Sequence, residues 1–228
     1  MEELLQPDIH LLGIRIQEPV TTATDVLVAL ACLYAYWRLR NIKNEGNALR
    51  YLKLYFIVLA IAMLFGGLVG HGFLYLLSPE WKIPGWFISM FSVMLIERSS
   101  IEHSQSLLPP RLAKFFLAAN IIELGLLMIV AAYTLNFLFV QIHLAYGVLA
   151  VIFPFHLYTY RKTRNKGSLY MLYGVGVLAI AAVIFNYPIV LSKWFNHHDF
   201  AHVLMIITTI FFMHGGLNFD SKNQDETS

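Results

Sequence analysis

The sequence predicts an all-α protein: a bundle of seven transmembrane helices, with the N-terminus outside and the C-terminus in the cytoplasm. Three observations carry that prediction. Of 228 residues, 58% are apolar and 13% charged, with mean hydropathy +0.62, whereas soluble domains run near 45–50% apolar and about 25% charged. Long stretches lack any Asp, Glu, Lys or Arg, and a bilayer crossing needs roughly 20 such residues. Lys and Arg also fall mostly on one side of those stretches.

Taken in order, residues 1–19 read as a short helix or arm lying at the interface, punctuated by Pro7 and Pro19. Glu2 and Glu3 stand where a signal peptide carries basic residues, so no cleavable leader is expected. The membrane domain covers residues 20–219. Its first span is 20–37, interrupted by Asp25, and its second is 54–79. The third, 83–96, has only 14 residues between Lys82 and Glu97. It reads as a short span extended through Glu97 and Arg98, or as a re-entrant piece. The fourth starts near Arg111 after Pro109-Pro110 and contains Asn120 and Glu123. Residues 124–160 run 37 positions without a formal charge, about 55 Å of helix. That is too long for one crossing, so a break is expected at Thr134-Leu135-Asn136, with a fifth span beyond it. The sixth is 167–192 and the seventh 200–219. A polar tail, 220–228, is expected to be disordered.

Thirteen Lys and Arg residues follow odd-numbered spans and three lie on the opposite side. The positive-inside rule therefore sets the orientation, with the plasma (inner) membrane as the expected location. Cys32 is the single cysteine, which excludes an intramolecular disulfide or a cysteine-built metal cage. A net charge of +2 without a dense basic patch argues against a nucleic-acid partner. Membrane lipids are the expected partners, and the oligomeric state is open.

Ionisable groups inside a membrane are expensive and usually functional. In a seven-span bundle, the starts of odd helices and the ends of even helices share the outer side. Glu18 and Asp25, His71, His143, Asn186, and the His197, His198, Asp199, His202 group all fall there. His198 and His202 are four apart, the spacing by which one helix face offers two imidazoles to a metal. His71, among the glycines of Gly66-Gly67-Leu68-Val69-Gly70-His71-Gly72, supplies a third nitrogen. Three protein ligands with an open position describe a catalytic zinc site. Asp25 or Glu18 would orient or deprotonate a water, and His143 would polarise a substrate carbonyl. Asn196-His197-His198-Asp199 also reads as an ordinary helix cap.

A histidine ending helix 2 and His198-x-x-x-His202 opening helix 7 resemble the alkaline ceramidase and progestin/adipoQ-receptor superfamily. That resemblance implies a seven-helix intramembrane zinc protein acting on lipid amides, with His71, His198 and His202 as ligands. Two positions depart from the family pattern. Gly67 replaces a serine four residues before the helix 2 histidine, and Trp81 and Lys82 occupy the region of an aspartate. The serine and aspartate assist the water and the oxyanion in the family.

Two other readings stand beside a zinc-dependent hydrolase of a lipid or lipid-like amide or ester. One is a non-enzymatic receptor, transporter or scaffold with a small-molecule or ion site. The other is a membrane cytochrome binding haem b through His143 with His202 and His156 with His214. The absence of a lysine from the seventh span, where a Schiff base would form, argues against a retinal protein.

Overall fold

The computed structural model describes residues 6–42, 46–187 and 189–219. It is all-α and about 82% helical. Seven long helices are present among the described residues: α1 (Pro19–Leu39), α2 (Asn47–Gly72), α3 (Lys82–Ser104), α4 (Pro110–Thr134), α5 (Leu138–Thr163), α6 (Lys166–Asn186) and α7 (His197–Leu217). Six of them are long and apolar enough to cross a membrane; α3 is the exception.

Each boundary has a local cause. Pro19 and Pro110 occupy the first turns of α1 and α4, where a missing N–H leaves no intrahelical bond unmade. The uncharged 37-residue run breaks at the expected place: α4 ends at Thr134, Leu135 turns left-handed (φ 50°), and Asn136 Oδ1 accepts from Leu138 N at 2.9 Å to start α5. Arg164, also left-handed, ends α5, and Asn165 caps α6 by accepting from Ser168 N at 2.8 Å. A reciprocal Asn196–Asp199 capping box opens α7. Two helices contain π-helical stretches, Gly66–Gly72 at the end of α2 and Gly147–Ile152 within α5.

Among the described residues of the arm ahead of α1 there is a hairpin and no helix. Residues Ile9–Leu11 (β1) and Ile14–Ile16 (β2) pair antiparallel across Leu12-Gly13, both with positive φ, the backbone that a two-residue hairpin needs. Gln17 N donates to Gly72 O at 3.0 Å, tying the hairpin to the end of α2. Residues 1–5 and the tail 220–228 lie outside the described residues.

Packing follows α1 against α2 and α7, α7 against α6, and α6 against α5. Helix α3 packs against α2, α4 and α5. Val28, Cys32, Leu52, Phe56, Met90, Met171 and Phe212 fill the core. Outward faces are apolar too: Ile121, Ile122, Leu126 and Ile129 of α4 are all exposed, as expected of a surface solvated by lipid. The 23 residues of α3 run without interruption through Glu97 and Arg98, and Ser92, Glu97, Ser99, Ser100 and Ser104 are buried. Its polarity is turned toward neighbouring helices, which is why its charge-free run is so short.

Candidate metal centre

Where α1 begins, α2 ends and α7 begins, three helices deliver ionisable side chains to one place. Asp25, a turn and a half into α1, is at the centre. Its Oδ1 lies 3.3 Å from His202 Nε2, and its Oδ2 lies 3.9 Å from His71 Nε2. Asp25 is buried and Oδ2 accepts no hydrogen bond.

The partners behind the rings determine what those nitrogens present. His71 Nδ1 pairs with Glu18, which as a carboxylate only accepts. Burial raises the pKa of Glu18, but its hydrogen bond to His71 and the charge interaction outweigh burial and hold it below its ordinary value. His202 Nδ1 lies 2.9 Å from Thr24 Oγ1. Where Thr24 gives its one hydroxyl hydrogen to Thr21 O, 2.9 Å away, it accepts from His202. In that arrangement both rings carry hydrogen on Nδ1 and, when neutral, turn an Nε2 lone pair toward the same carboxylate. Lone pairs facing a buried carboxylate repel unless a cation or proton lies between them. An imidazole oriented from behind by a carboxylate or hydroxyl is also the usual arrangement of metal-binding histidine.

A further layer holds this one. Asp199, fully buried, accepts from Gln6 Nε2 (2.8 Å), Thr21 Oγ1 (2.9 Å) and Asn196 N (2.7 Å), with Thr24 Oγ1 at 3.4 Å. Gln6 Oε1 in turn accepts from Val20 N at 2.9 Å and Thr21 N at 3.3 Å. It satisfies two amides of the first turn of α1 that no helical carbonyl reaches. Glu18 holds a left-handed backbone (φ 40°) before Pro19, a conformation that costs roughly 1–3 kcal/mol and concentrates at functional sites.

Of the predicted site residues, Glu18, Asp25, His71 and His202 are brought together. His198 lies beside them, its ring centroid 6.0 Å from that of His71 and 4.1 Å from that of His197. His143 sits elsewhere. Its Nδ1 faces both oxygens of Glu123 at 2.9 Å and its Nε2 lies 2.9 Å from Met90 O. The partner of Glu123, which the sequence left unnamed, is thus His143. Gln6 and Thr24 were not anticipated. Thr24 had a signal, lying three residues after Thr21 on the same helical face, whereas Gln6 reaches the site only through the hairpin.

Two nitrogens and a carboxylate with a free oxygen suit zinc by ligand type. Their ligand atoms are spread more widely than those of Glu97, Glu123 and His143, the set of three that lies mutually within 4.8 Å among the described residues. Haem fits the histidines less well. His143 is held by Glu123 and Met90, His156 by Ser100 and Ser168, and His202 by Thr24 and Asp25, while His214 stacks near Tyr170. Bis-imidazole ligation would break most of these contacts.

Gly67 now has a steric reason. A Cβ there would lie 2.7 Å from Asp25 Cβ and 3.2 Å from Thr22 O. The place that a serine side chain would take is filled by the aspartate of α1.

Six apolar helices of crossing length make the chain a multi-pass membrane protein. It matches the family of unknown function DUF6962 over residues 20–221, nearly the whole helical domain, and belongs to that family. No curated protein and no solved structure matches it.

Proposed function

We propose that this protein is a zinc-dependent intramembrane hydrolase of a lipid or lipid-like amide or ester. In this reading the chain crosses the membrane seven times, with the metal centre near the outer surface and the C-terminus in the cytoplasm. Helix α3 completes the count: its 23 residues give about 35 Å, enough for a bilayer core of about 30 Å. The asymmetry of Lys and Arg supports the orientation, and the plasma membrane is the proposed location.

The observation that carries the proposal is the convergence of His71 Nε2 and His202 Nε2 on the buried Asp25 carboxylate, 3.9 and 3.3 Å away. His71 and His202 would hold the ion, with His198 at the mouth of the site as a third nitrogen donor. Bound zinc supplies Lewis acidity and lowers the pKa of water toward about 7. The chain does the rest. Glu18 and Thr24 fix the two rings, and Asp199 holds Thr21, whose carbonyl receives the Thr24 hydroxyl. Asp25 Oδ2, which accepts no other hydrogen bond, takes the proton of an attacking water and returns it to the leaving amine or alcohol. His71, its side chain 24% exposed against 18% for Glu18, 11% for His202 and 4% for Asp25, marks the side from which a substrate headgroup enters, its acyl chain remaining in the bilayer.

The test is turnover of N-acyl amides and acyl esters by purified protein in mixed micelles. Asp25→Asn keeps size and loses the base, so the hydrolysis rate is expected to fall roughly 10²–10⁴-fold with the fold intact. Equal rates for wild type and Asp25→Asn would contradict the role of Asp25. Absence of turnover across the panel would favour a non-enzymatic ion or small-molecule site built from the same residues.

A further inference from the structure

A second polar cluster lies deep among α3, α4 and α5, separate from the Asp25 site. Glu97 and His143 are fully buried and Asn120 nearly so. Glu123 is partly open, beside a groove of about 510 Å³ between α4 and α5 lined by Phe115, Ile122, Leu126, Ile142 and Tyr146. One ligand atom each from Glu97, Glu123 and His143 falls within 4.8 Å of the other two.

Hydrogen bonding determines what these groups offer. His143 Nε2 lies 2.9 Å from Met90 O, a pure acceptor, so Nε2 carries hydrogen. The neutral ring then turns the Nδ1 lone pair toward Glu123, whose two oxygens are both 2.9 Å away. Asn120 Nδ2 donates to Glu97 Oε2 at 2.6 Å and to Met94 O at 3.3 Å. Both partners accept, which fixes the amide so that Oδ1 is its acceptor. That Oδ1 and Glu97 Oε1 are buried and without a hydrogen-bond partner. Space is reserved here as well: a Cβ on Gly147 would collide with Glu97 Oε1, and Gly147 opens the π-helical stretch of α5, a distortion frequent at functional sites.

Two carboxylates in a low-dielectric interior are neutralised either by protons or by bound positive charge. One imidazole nitrogen, two carboxylates and an amide oxygen make a donor set for a first-row divalent metal, since imidazole suits zinc or iron and carboxylates suit manganese. We propose that Glu97, Glu123 and His143, with Asn120 Oδ1, form a second, buried site for such a cation, independent of the Asp25 site.

The experiment is metal content per chain of the full-length protein in detergent, equilibrated with zinc alone and, separately, with manganese alone. Glu97→Gln/Glu123→Gln keeps shape and removes both charges. It is expected to bind one equivalent fewer than wild type of at least one metal, and Glu97→Gln to bind that metal at least tenfold more weakly. Unchanged content for both metals would overturn the proposal and show that protons neutralise the cluster. His71→Ala/His202→Ala reports independently of how the inner variants fold. One equivalent remaining there supports the inner site, even if the outer one proves wrong, and none remaining with either metal overturns it. Loss in the outer variant combined with full retention in the inner one leaves the hydrolase reading standing and removes this one.

Discussion

Asp199→Ala is expected to lower the stability of the detergent-solubilised protein by roughly 3–5 kcal/mol. The carboxylate is fully buried and receives Gln6, Thr21 and the amide of Asn196. Alanine strands those donors without water, and each buried polar group left unmade costs about 1–3 kcal/mol. The change also removes half of the capping box of α7. For a chain of this size the shift corresponds to roughly 6–20 °C in Tm. The same variant frees Thr21, whose carbonyl receives the Thr24 hydroxyl behind His202. Asp199→Asn, which keeps one acceptor oxygen, should lose much less. A Tm for Asp199→Ala within about 2 °C of wild type would show that the network does not hold α1 to α7.

Gly67→Ser introduces the residue that the ceramidase resemblance leads one to expect at this position, yet it should weaken the site. Its Cβ would meet Asp25 Cβ at 2.7 Å and the backbone oxygen of Thr22 at 3.2 Å. Backbone cannot rotate away as a side-chain end can, so α1 and α2 must part where Asp25 faces His71. Displacing groups that orient a metal ligand typically costs 10–100-fold in affinity, and that is the expected loss for zinc, read by competition with a chelator. Unaltered or tighter zinc binding would mean that the Gly67–Asp25 contact does not shape the site.

The helices were legible in the sequence where their signal is local. Uncharged runs marked six of them, and Thr134-Leu135-Asn136 marked the break that a single crossing could not accommodate. Helix α3 was the hardest to read because its Ser and Glu residues face other helices, and hydropathy cannot distinguish a polar residue turned inward from one in water. The hairpin was missed because Leu12 is not a turn residue by type; it takes a positive φ beside Gly13. In the site, the i, i+4 spacing placed His198 and His202 on one face of α7, and the antiparallel order placed His71 and Asp25 at the same depth. Spacing within one helix cannot say which face meets which neighbour. Pairing of His143 with Glu123, closure by Gln6 and the support of His202 by Thr24 all depend on how α1, α4, α5 and α7 are rotated against each other.

The central claim is that His71 and His202 hold a metal ion against Asp25. Its most direct test is zinc per chain, by mass spectrometry, in wild type and in His71→Ala/His202→Ala purified side by side, with circular dichroism as the control for fold. The prediction is that the double variant keeps its helix content and carries one zinc equivalent fewer than wild type. Equal zinc in the two proteins would contradict the assignment and leave the two histidines as hydrogen-bonding residues at the end of the bundle.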